Sequence, residues 1–310
     1  MKTISIINYK GGVGKTTLSA NLASELAFNN KRVLVVDLDP QTNLTFSFLS
    51  VEDWQSLDLQ GKTIKHWYDD FLDNDNDLPL KNLIVRPKNI NAKLKKFNSN
   101  GVLDIISSHL ELINVDMELA TRYGGNSPRT IRSSFLRLFS RLKVGLEVLE
   151  EDYDVVIIDC PPNFNIVTQN AIIASDMYLV PAKPDFLSTL GIDQLVRHID
   201  QLTERYNDFV EQANNSSWVA INPEMAGVIF TMITIYNGQP ISAQRDYMAR
   251  VSRSGYNVFD TYMRDNKTLF SNSPEYGVPV VLNNELTGIY LDIRSELEKI
   301  ASEFCIKANV

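Results

Sequence analysis

Several residue types are scarce in this sequence, and each scarcity excludes a class of protein. The 310 residues include two cysteines, Cys160 and Cys305, which form no CxxC or metal-ligand spacing. A disulfide scaffold is therefore excluded, and reduced thiols in a cytosolic protein are expected. The three histidines, His66, His109 and His198, are scattered along the chain. We interpret each as a surface or packing residue rather than a catalyst.

Long apolar runs and excess positive charge are also missing. No run approaches the length of a transmembrane helix, and the chain enters a predicted strand at once, which indicates no signal peptide. Lysine and arginine total 30 against 38 acidic residues, so the net charge is −8. That balance argues against nucleic acid covering the whole surface, although a local basic patch remains compatible with it.

The composition that is present indicates a globular α/β protein. Hydrophobic residues make up 44% of the chain and charged residues 22%, enough for a large core. Short apolar runs alternate with helical patterns, which predicts a doubly wound, mainly parallel β-sheet with helices on both faces. We expect one domain over residues 1–310. Residues 50–100 exceed the length of one crossover helix and predict a helical insertion or extended crossover after the second strand.

The chain is organised around residues 4–21, ISIINYKGGVGKTTLSAN. An apolar strand runs into a glycine-rich loop, and a helical pattern with Leu18, Leu22 and Leu26 on one face follows. This order predicts a phosphate-binding loop, because backbone N–H groups and a helix N-terminus surround the anion. Lys15 is expected at the β- and γ-phosphates of ATP, and the Thr16 hydroxyl on Mg²⁺. The residues assigned to the nucleotide are Lys10, Gly11, Gly12, Val13, Gly14, Lys15, Thr16 and Thr17.

Two later strands are predicted to end in aspartates. Residues 32–40 are predicted as the second buried strand, which ends in Asp37 and Asp39. Residues 155–158 are apolar and lead into Asp159, a Walker B pattern whose carboxylate would hold a Mg²⁺-bound water. Open α/β sheets bind ligands at the carboxyl ends of their strands, where these aspartates fall. For Asp37, a cap on the following turn is the alternative interpretation.

The loop differs from the ordinary Walker A consensus, with Tyr9 where glycine is expected and a second lysine, Lys10. The segment K-G-G-V-G-K-T-T resembles the deviant Walker A box of the ParA/MinD ATPases, and within them the ParA (Soj) DNA-partition ATPases. The D-P-Q at 39–41 and the D-C-P-P at 159–162 resemble the same family. The resemblance covers residues 1–49 closely and 101–300 more loosely.

The resemblance implies a mechanism and a set of roles. Lys10 would reach across an ATP-bridged homodimer to the partner's phosphates, and Asp39 would act on the attacking water. Asp37 would lie near the Mg²⁺ shell. We therefore expect Lys10, Lys15 and Asp39 to be catalytic, and Thr16, Asp37 and Asp159 to serve the metal.

The resemblance further implies a cytoplasmic, nucleoid-associated ATPase for plasmid or chromosome partition or cargo positioning. ATP would close a sandwich dimer on nonspecific DNA, and a centromere-bound ParB-like partner or adaptor would stimulate hydrolysis. One alternative is a MinD-like membrane-cycling ATPase, although the acidic residues 291–310 fit an anionic membrane poorly. Another is an ATP-dependent ligase or synthetase, which would need a second substrate pocket.

One segment departs from the family pattern. Residues 282–288 read L-N-N-E-L-T-G, without the arginines that many family members carry before the C-terminal helix. Arg245, Arg250 and Arg253, on a helix predicted from residue 242 to about 252, could supply a substitute DNA-binding patch. Ordinary solvated helix charges are the alternative interpretation.

Overall fold

A computed structural model of the protein describes residues 1–74, 78–213, 218–270, 277–283 and 285–310. Asn284, within the segment that departs from the family pattern, lies outside the described residues. The main sheet has seven parallel strands in the order β3-β2-β4-β1-β5-β6-β9. The strands are β1 (Lys2–Ile6), β2 (Arg32–Asp37), β3 (Val102–Ile106), β4 (Val155–Asp159), β5 (Met177–Ala182), β6 (Glu224–Ile233) and β9 (Val258–Arg264), and β7 (Ile235–Tyr236) and β8 (Gln239–Pro240) form a separate hairpin.

Helices cover both faces of this sheet. They are α1 (Lys15–Phe28), α2 (Asn43–Phe46), α3 (Val51–Leu59), α4 (Ile64–Asn74), α5 (Lys88–Lys96), α6 (Leu112–Arg122), α7 (Pro128–Phe139), α8 (Arg141–Glu147), α9 (Ile166–Ala174), α10 (Phe186–Ala213), α11 (Ser242–Arg253) and α12 (Ile289–Ala308). Within the described ranges, no helix combines the length and apolarity that crossing a membrane requires.

Strand β2 shows how the sequence builds a two-sided sheet. Its residues point alternately to opposite faces, so Leu34 and Val36 join one hydrophobic cluster while Val33 and Val35 join the other. All four are fully buried. Continuous apolar strands of this kind are typical of parallel sheets covered on both faces. The predicted doubly wound fold is confirmed.

The helical insertion after the second strand is also confirmed, because α2 to α5 all precede β3. Trp67, Tyr68 and Phe71 of α4 are buried in the cluster that also holds Leu34. In contrast, none of the nine residues of α3 is buried. Within the insertion, α4 is therefore well packed, whereas α3 lies on the surface.

Between β3 and β4, residues 128–147 form two consecutive helices, α7 and α8, with a break at Ser140. α7 ends before Ser140, whose hydroxyl donates to the Leu136 carbonyl at 2.6 Å, and α8 begins at Arg141. A serine that bonds back to the preceding turn bends a helix in this way.

Strand register brings the predicted site residues to one edge of the sheet. Asp37 of β2 lies opposite Asp159 of β4, and Asp159 also lies opposite Ile6 of β1. The glycine-rich loop leaves the carboxyl end of β1, between those of β4 and β5. The loop and the two aspartates therefore lie at the same edge of the sheet.

Candidate nucleotide site

The glycine-rich loop has the backbone that phosphate binding requires. Gly12 and Gly14 adopt φ values of 69° and 77°, a left-handed region that glycine enters freely. A Cβ at Gly14 would also stand 2.9 Å from the Met263 side chain. α1 begins at Lys15, directly after Gly14, so the N–H groups of its first turn face the loop.

Lys15 is held inside the loop. Its side chain is buried, and its Nζ donates to the carbonyls of Asn8 at 3.1 Å and Lys10 at 3.4 Å. Burial lowers the pKa of Lys15, while Asp159 and Asp39 oppose that shift. An ammonium group held on loop carbonyls is placed to move onto an anion that enters the loop.

Thr16 and Asp159 place two oxygen atoms that could ligate a metal ion side by side near the loop. The Thr16 hydroxyl donates to Asp159 Oδ2 at 2.7 Å, and the Ser19 hydroxyl donates to Oδ1 at 2.8 Å. Burial raises the pKa of Asp159, and the two hydroxyl hydrogen bonds oppose the rise. Hydroxyl and carboxylate oxygens are the ligands that Mg²⁺ prefers, so this pair fits the ion.

Asp37 is buried beside that pair, but its oxygens are already engaged. Oδ2 accepts from the Thr45 N–H at 2.8 Å and from the Thr45 hydroxyl at 2.7 Å, and Oδ1 accepts from the Asp39 N–H at 3.1 Å. Burial, followed by the neighbouring Asp159, raises the pKa of Asp37. In this arrangement Asp37 fixes the loop that carries Asp39, and lies next to the metal pair rather than pointing a free oxygen into it.

Asp39 lines the same space as the loop. Its Oδ1 accepts from the Gln41 N–H at 3.0 Å, and the side chain borders a cavity of about 290 Å³. The predicted residues that share this cavity are Gly11, Gly12, Gly14, Lys15, Thr16, Thr17 and Asp39. Val13 is different, because its side chain is buried and its carbonyl accepts from the Thr231 hydroxyl at 2.6 Å.

Lys10 lies apart from Lys15, and its partner is one that sequence reasoning missed. The Lys10 Nζ forms an ion pair with Asp185 Oδ2 at 2.5 Å, and both side chains are one-third exposed. Asp185 also caps α10, since its Oδ1 accepts from the Ser188 N–H at 2.9 Å. Burial raises the pKa of Asp185, but the hydrogen bonds from Lys10 and Ser188 outweigh it and hold the pKa below its ordinary value.

Exposed apolar side chains follow two strands that lie on either side of β1 in the strand order. One set follows β3 and the other follows β5, so both start from the edge of the sheet that carries the loop. Half or more of each side chain is exposed, and the six residues are Leu110, Ile113, Met117, Phe186, Leu187 and Leu190. We call these six residues the apolar flank. Exposed apolar groups gathered around a site indicate an interaction surface.

The three candidate DNA-binding arginines lie on α11. Arg245, Arg250 and Arg253 are all exposed and spread over about 140° of the helix at 3.6 residues per turn. The Arg245 Nη1 donates to Gln239 Oε1 at 2.8 Å, and the Arg250 guanidinium lies 5.2 Å from the Tyr247 ring. None of the three lines the nucleotide cavity.

Two of the three histidines, which are far apart in the sequence, come together in the structure. The rings of His66 and His109 lie 6.2 Å apart, and Asp58 Oδ1 is 3.1 Å from His109 Nε2 and 4.0 Å from His66 Nε2. His198 is elsewhere and contacts the Tyr9 hydroxyl. Across the described ranges, no group of three or more His, Cys, Asp or Glu side chains is arranged to hold a metal ion.

Comparison with known proteins adds a family and a fold. A family model described as an AAA domain, AAA_31, matches residues 1–212. The sporulation initiation inhibitor protein Soj of Bacillus subtilis is 29% identical over 302 residues, 96% of this chain and 98% of Soj. The chromosome partitioning protein ParA of Caulobacter vibrioides is 29% identical over 284 residues, 91% of this chain and 87% of ParA.

A solved structure supports the fold independently. Apo McdA from Cyanothece superposes with a TM-score of 0.70 at 20% identity, covering 98% of this chain and 99% of McdA. An ATP complex of a McdA variant gives a TM-score of 0.69 over 98% of this chain and 96% of McdA. At this identity the likeness establishes the fold alone.

Proposed function

The chain belongs to the AAA_31 family of AAA domains and is a P-loop protein of the ParA/MinD type, and from this premise we propose that it is a ParA-like ATPase. ATP would bridge two copies in a sandwich dimer that binds nonspecific DNA. A ParB-like partner or adaptor would stimulate hydrolysis, and the cycle would position a plasmid, a chromosome or another cargo.

The observation that carries this proposal is the separation of the two loop lysines. Lys15 Nζ lies inside the loop on the Asn8 and Lys10 carbonyls, whereas Lys10 Nζ lies on Asp185 at the start of α10. One ammonium group therefore serves the phosphates of its own chain. The other stays outside the cavity, one-third exposed, where a second copy can receive it.

The residues around the loop support ATP with magnesium as the ligand. Thr16 and Asp159 would hold the ion, with Asp37 beside them fixing the neighbouring loop. Bound Mg²⁺ neutralises phosphate charge. Lys15 would stabilise the β- and γ-phosphates, and Asp39 would orient the attacking water. Phosphoryl transfer depends on such positioning more than on covalent chemistry.

The apolar flank supports dimerisation at the nucleotide edge. A second copy facing this edge would cover both apolar sets while its Lys10 entered the cavity. Since burying apolar surface is favourable at roughly 25 cal/mol per Å², the flank would add affinity that the ATP contacts alone do not supply.

DNA fits the exposed residues better than a membrane does. The apolar face of α12, which includes Ile293, Leu297, Ile300 and Phe304, is buried in the protein core. A MinD-like helix would need that face free for lipid. The arginines of α11 are exposed and would double in number in a dimer, which favours phosphate contacts.

Measurements of ATP-dependent dimerisation distinguish the roles proposed for Lys10 and Asp39. Lys10→Ala should bind ATP but neither dimerise nor hydrolyse it, while Asp39→Ala should bind ATP and persist as a dimer. Light scattering and phosphate release measure both, and Lys183→Ala, an exposed lysine near Asp185, is the matched control. If the Lys10 and Asp39 variants behave alike, the proposed division of roles is wrong.

DNA binding is tested with the trapped Asp39→Ala dimer. Mobility shifts should be nucleotide-dependent, indifferent to sequence and steeply weakened by salt. Charge reversal on α11 should remove the shift while the dimer persists. The same number of charge reversals at exposed lysines of α5 should leave the shift in place. The α11 set is Arg245, Arg250 and Arg253, and the α5 control set is Lys88, Lys95 and Lys96. A dimer that shifts no DNA at low salt would exclude DNA as the track, and hydrolysis stimulated by lipid or a metabolite would favour the alternatives.

A further inference from the structure

Helix α3 of the insertion lies on the surface, and Trp54 makes its aromatic contacts with neighbouring segments. None of its residues is buried, and its first turn is capped by the Ser50 hydroxyl, which accepts from the Asp53 N–H at 3.1 Å. Trp54 stacks on the His109 ring at 5.5 Å and meets the Phe46 ring edge-on at 5.7 Å. The position of α3 therefore depends on what Trp54 contacts.

The indole N–H of Trp54 reaches the segment that follows β3. Trp54 Nε1 donates to the Ser108 carbonyl at 3.0 Å. A second link lies one turn further along α3, where Asp58 approaches His109 at 3.1 Å. Both links end on neighbouring residues of the β3–α6 connection, so they join α3 to that connection.

Ser108 uses each of its polar groups to join elements of the site. Its hydroxyl donates to the Asp39 carbonyl at 2.8 Å, and its N–H donates to the Thr45 hydroxyl at 3.0 Å. The Thr45 hydroxyl in turn donates to Asp37 at 2.7 Å. Ser108 and Thr45 are fully buried, so no water replaces these bonds. A continuous chain of hydrogen bonds thus runs from Trp54 on the surface to both aspartates.

We propose that Trp54 and Ser108 are positioning residues for Asp39, through which the helical insertion sets the position of Asp39 in the nucleotide cavity. We call the pair the clamp. This inference rests on the proposed function, since it assumes that Asp39 orients water for ATP hydrolysis. It gives the surface helix of the insertion a role in the reaction. Displacing a reacting group by about 1 Å can cost roughly a hundredfold in rate.

Two substitutions cut the chain of hydrogen bonds at different points. Ser108→Ala removes the hydroxyl that holds Asp39 and keeps both backbone bonds of residue 108. Trp54→Phe keeps one aromatic ring against His109 and removes the indole N–H donor together with the second ring. Each should lower kcat about five- to tenfold, the effect of one neutral hydrogen bond. The KM for ATP should stay within about twofold, and the ATP-dependent dimer should persist, because Asp39 and not the loop is displaced.

The chain offers a matched control for each substitution, one in the insertion and one between α7 and α8. Trp67 donates its indole N–H to the Leu78 carbonyl at 2.8 Å, and Ser140 donates its hydroxyl to the Leu136 carbonyl at 2.6 Å. Neither bond leads to Asp39. Trp67→Phe and Ser140→Ala should leave kcat unchanged. Equal losses of kcat in the control and clamp variants, or clamp variants within about twofold of wild type, would overturn the proposal.

A second measurement does not require hydrolysis. With Trp67→Phe and Trp218→Phe, Trp54 is the remaining tryptophan of three. Its emission should change when a nonhydrolysable ATP analogue with Mg²⁺ binds, and Ser108→Ala should abolish the change. Constant emission while calorimetry records binding would overturn the clamp. A wild-type protein that binds ATP without hydrolysing it would instead contradict the proposed function, and the emission would still decide the clamp.

Discussion

Breaking the ion pair between Lys10 and Asp185 should strengthen the ATP dimer. If Lys10 acts on the partner's phosphates, it must first leave Asp185, and the pair therefore opposes dimerisation. Asp185→Asn removes the carboxylate charge but keeps an oxygen that can accept the Ser188 N–H, so the cap of α10 is preserved. The substitution consequently isolates the ion pair from the stability of the helix.

The size of the effect follows from the exposure of the pair. Both side chains are one-third exposed, and ion pairs near the surface contribute about 0.2–1 kcal/mol. Two lysines must be released per dimer, so the gain is about 0.4–2 kcal/mol. At about 1.4 kcal/mol per tenfold change, the dimer dissociation constant should fall by about 2- to 30-fold.

Sedimentation in saturating Mg-ATP measures this constant, with Asp39→Ala present in every variant to suppress hydrolysis. Asp200→Asn removes one exposed charge from the same helix and is the control for net charge. The difference between the two variants should shrink near 1 M salt, where the screening length is about 3 Å. A dimer unchanged or weakened by Asp185→Asn would refute the competition between Asp185 and the partner's site.

Three further predictions test the loop and the core. Lys15→Ala should abolish ATP binding in calorimetry, because the β- and γ-phosphates lose their main cationic partner, and wild-type affinity would contradict the loop assignment. Phe135→Ala should lower the free energy of unfolding by about 3–5 kcal/mol in denaturant titration, since its buried ring stacks on Phe139 at 4.2 Å; a loss below about 1 kcal/mol would contradict this packing. Glu296→Gln should lower the free energy of unfolding by about 1.5–3 kcal/mol, because the Arg264 Nε–H donates to both Glu296 oxygens and so joins β9 to α12. An unchanged melting temperature would contradict this contribution of the ion pair.

The parts of the site that are local in sequence could be predicted. The loop needs glycines, a lysine and a helix start within a few residues, and the Walker B aspartate ends an unmistakably apolar strand. Short-range rules cover such features. Their meeting at one edge followed from the parallel sheet, because carboxyl ends of neighbouring parallel strands lie together.

The partners of those residues could not be predicted. Asp185 is 175 positions from Lys10, and neither periodicity nor spacing connects them. Ser108 resembles any serine after a strand, and its importance comes from three bonds that only the fold assembles. Helix α6 was missed because it presents Ile113 and Met117 to solvent, which obscures its amphipathic pattern.

Helix α10 has a mechanical consequence that follows from its length. It comprises 28 residues and begins directly after Asp185, so it extends about 42 Å from the nucleotide edge. If α10 tilted by about 5° at its first turn as a rigid body, its far end would move by roughly 4 Å. Such a tilt on release of Lys10 would reach the end of α10 near residue 213, about 42 Å along the helix, where a partner could detect it without approaching the nucleotide.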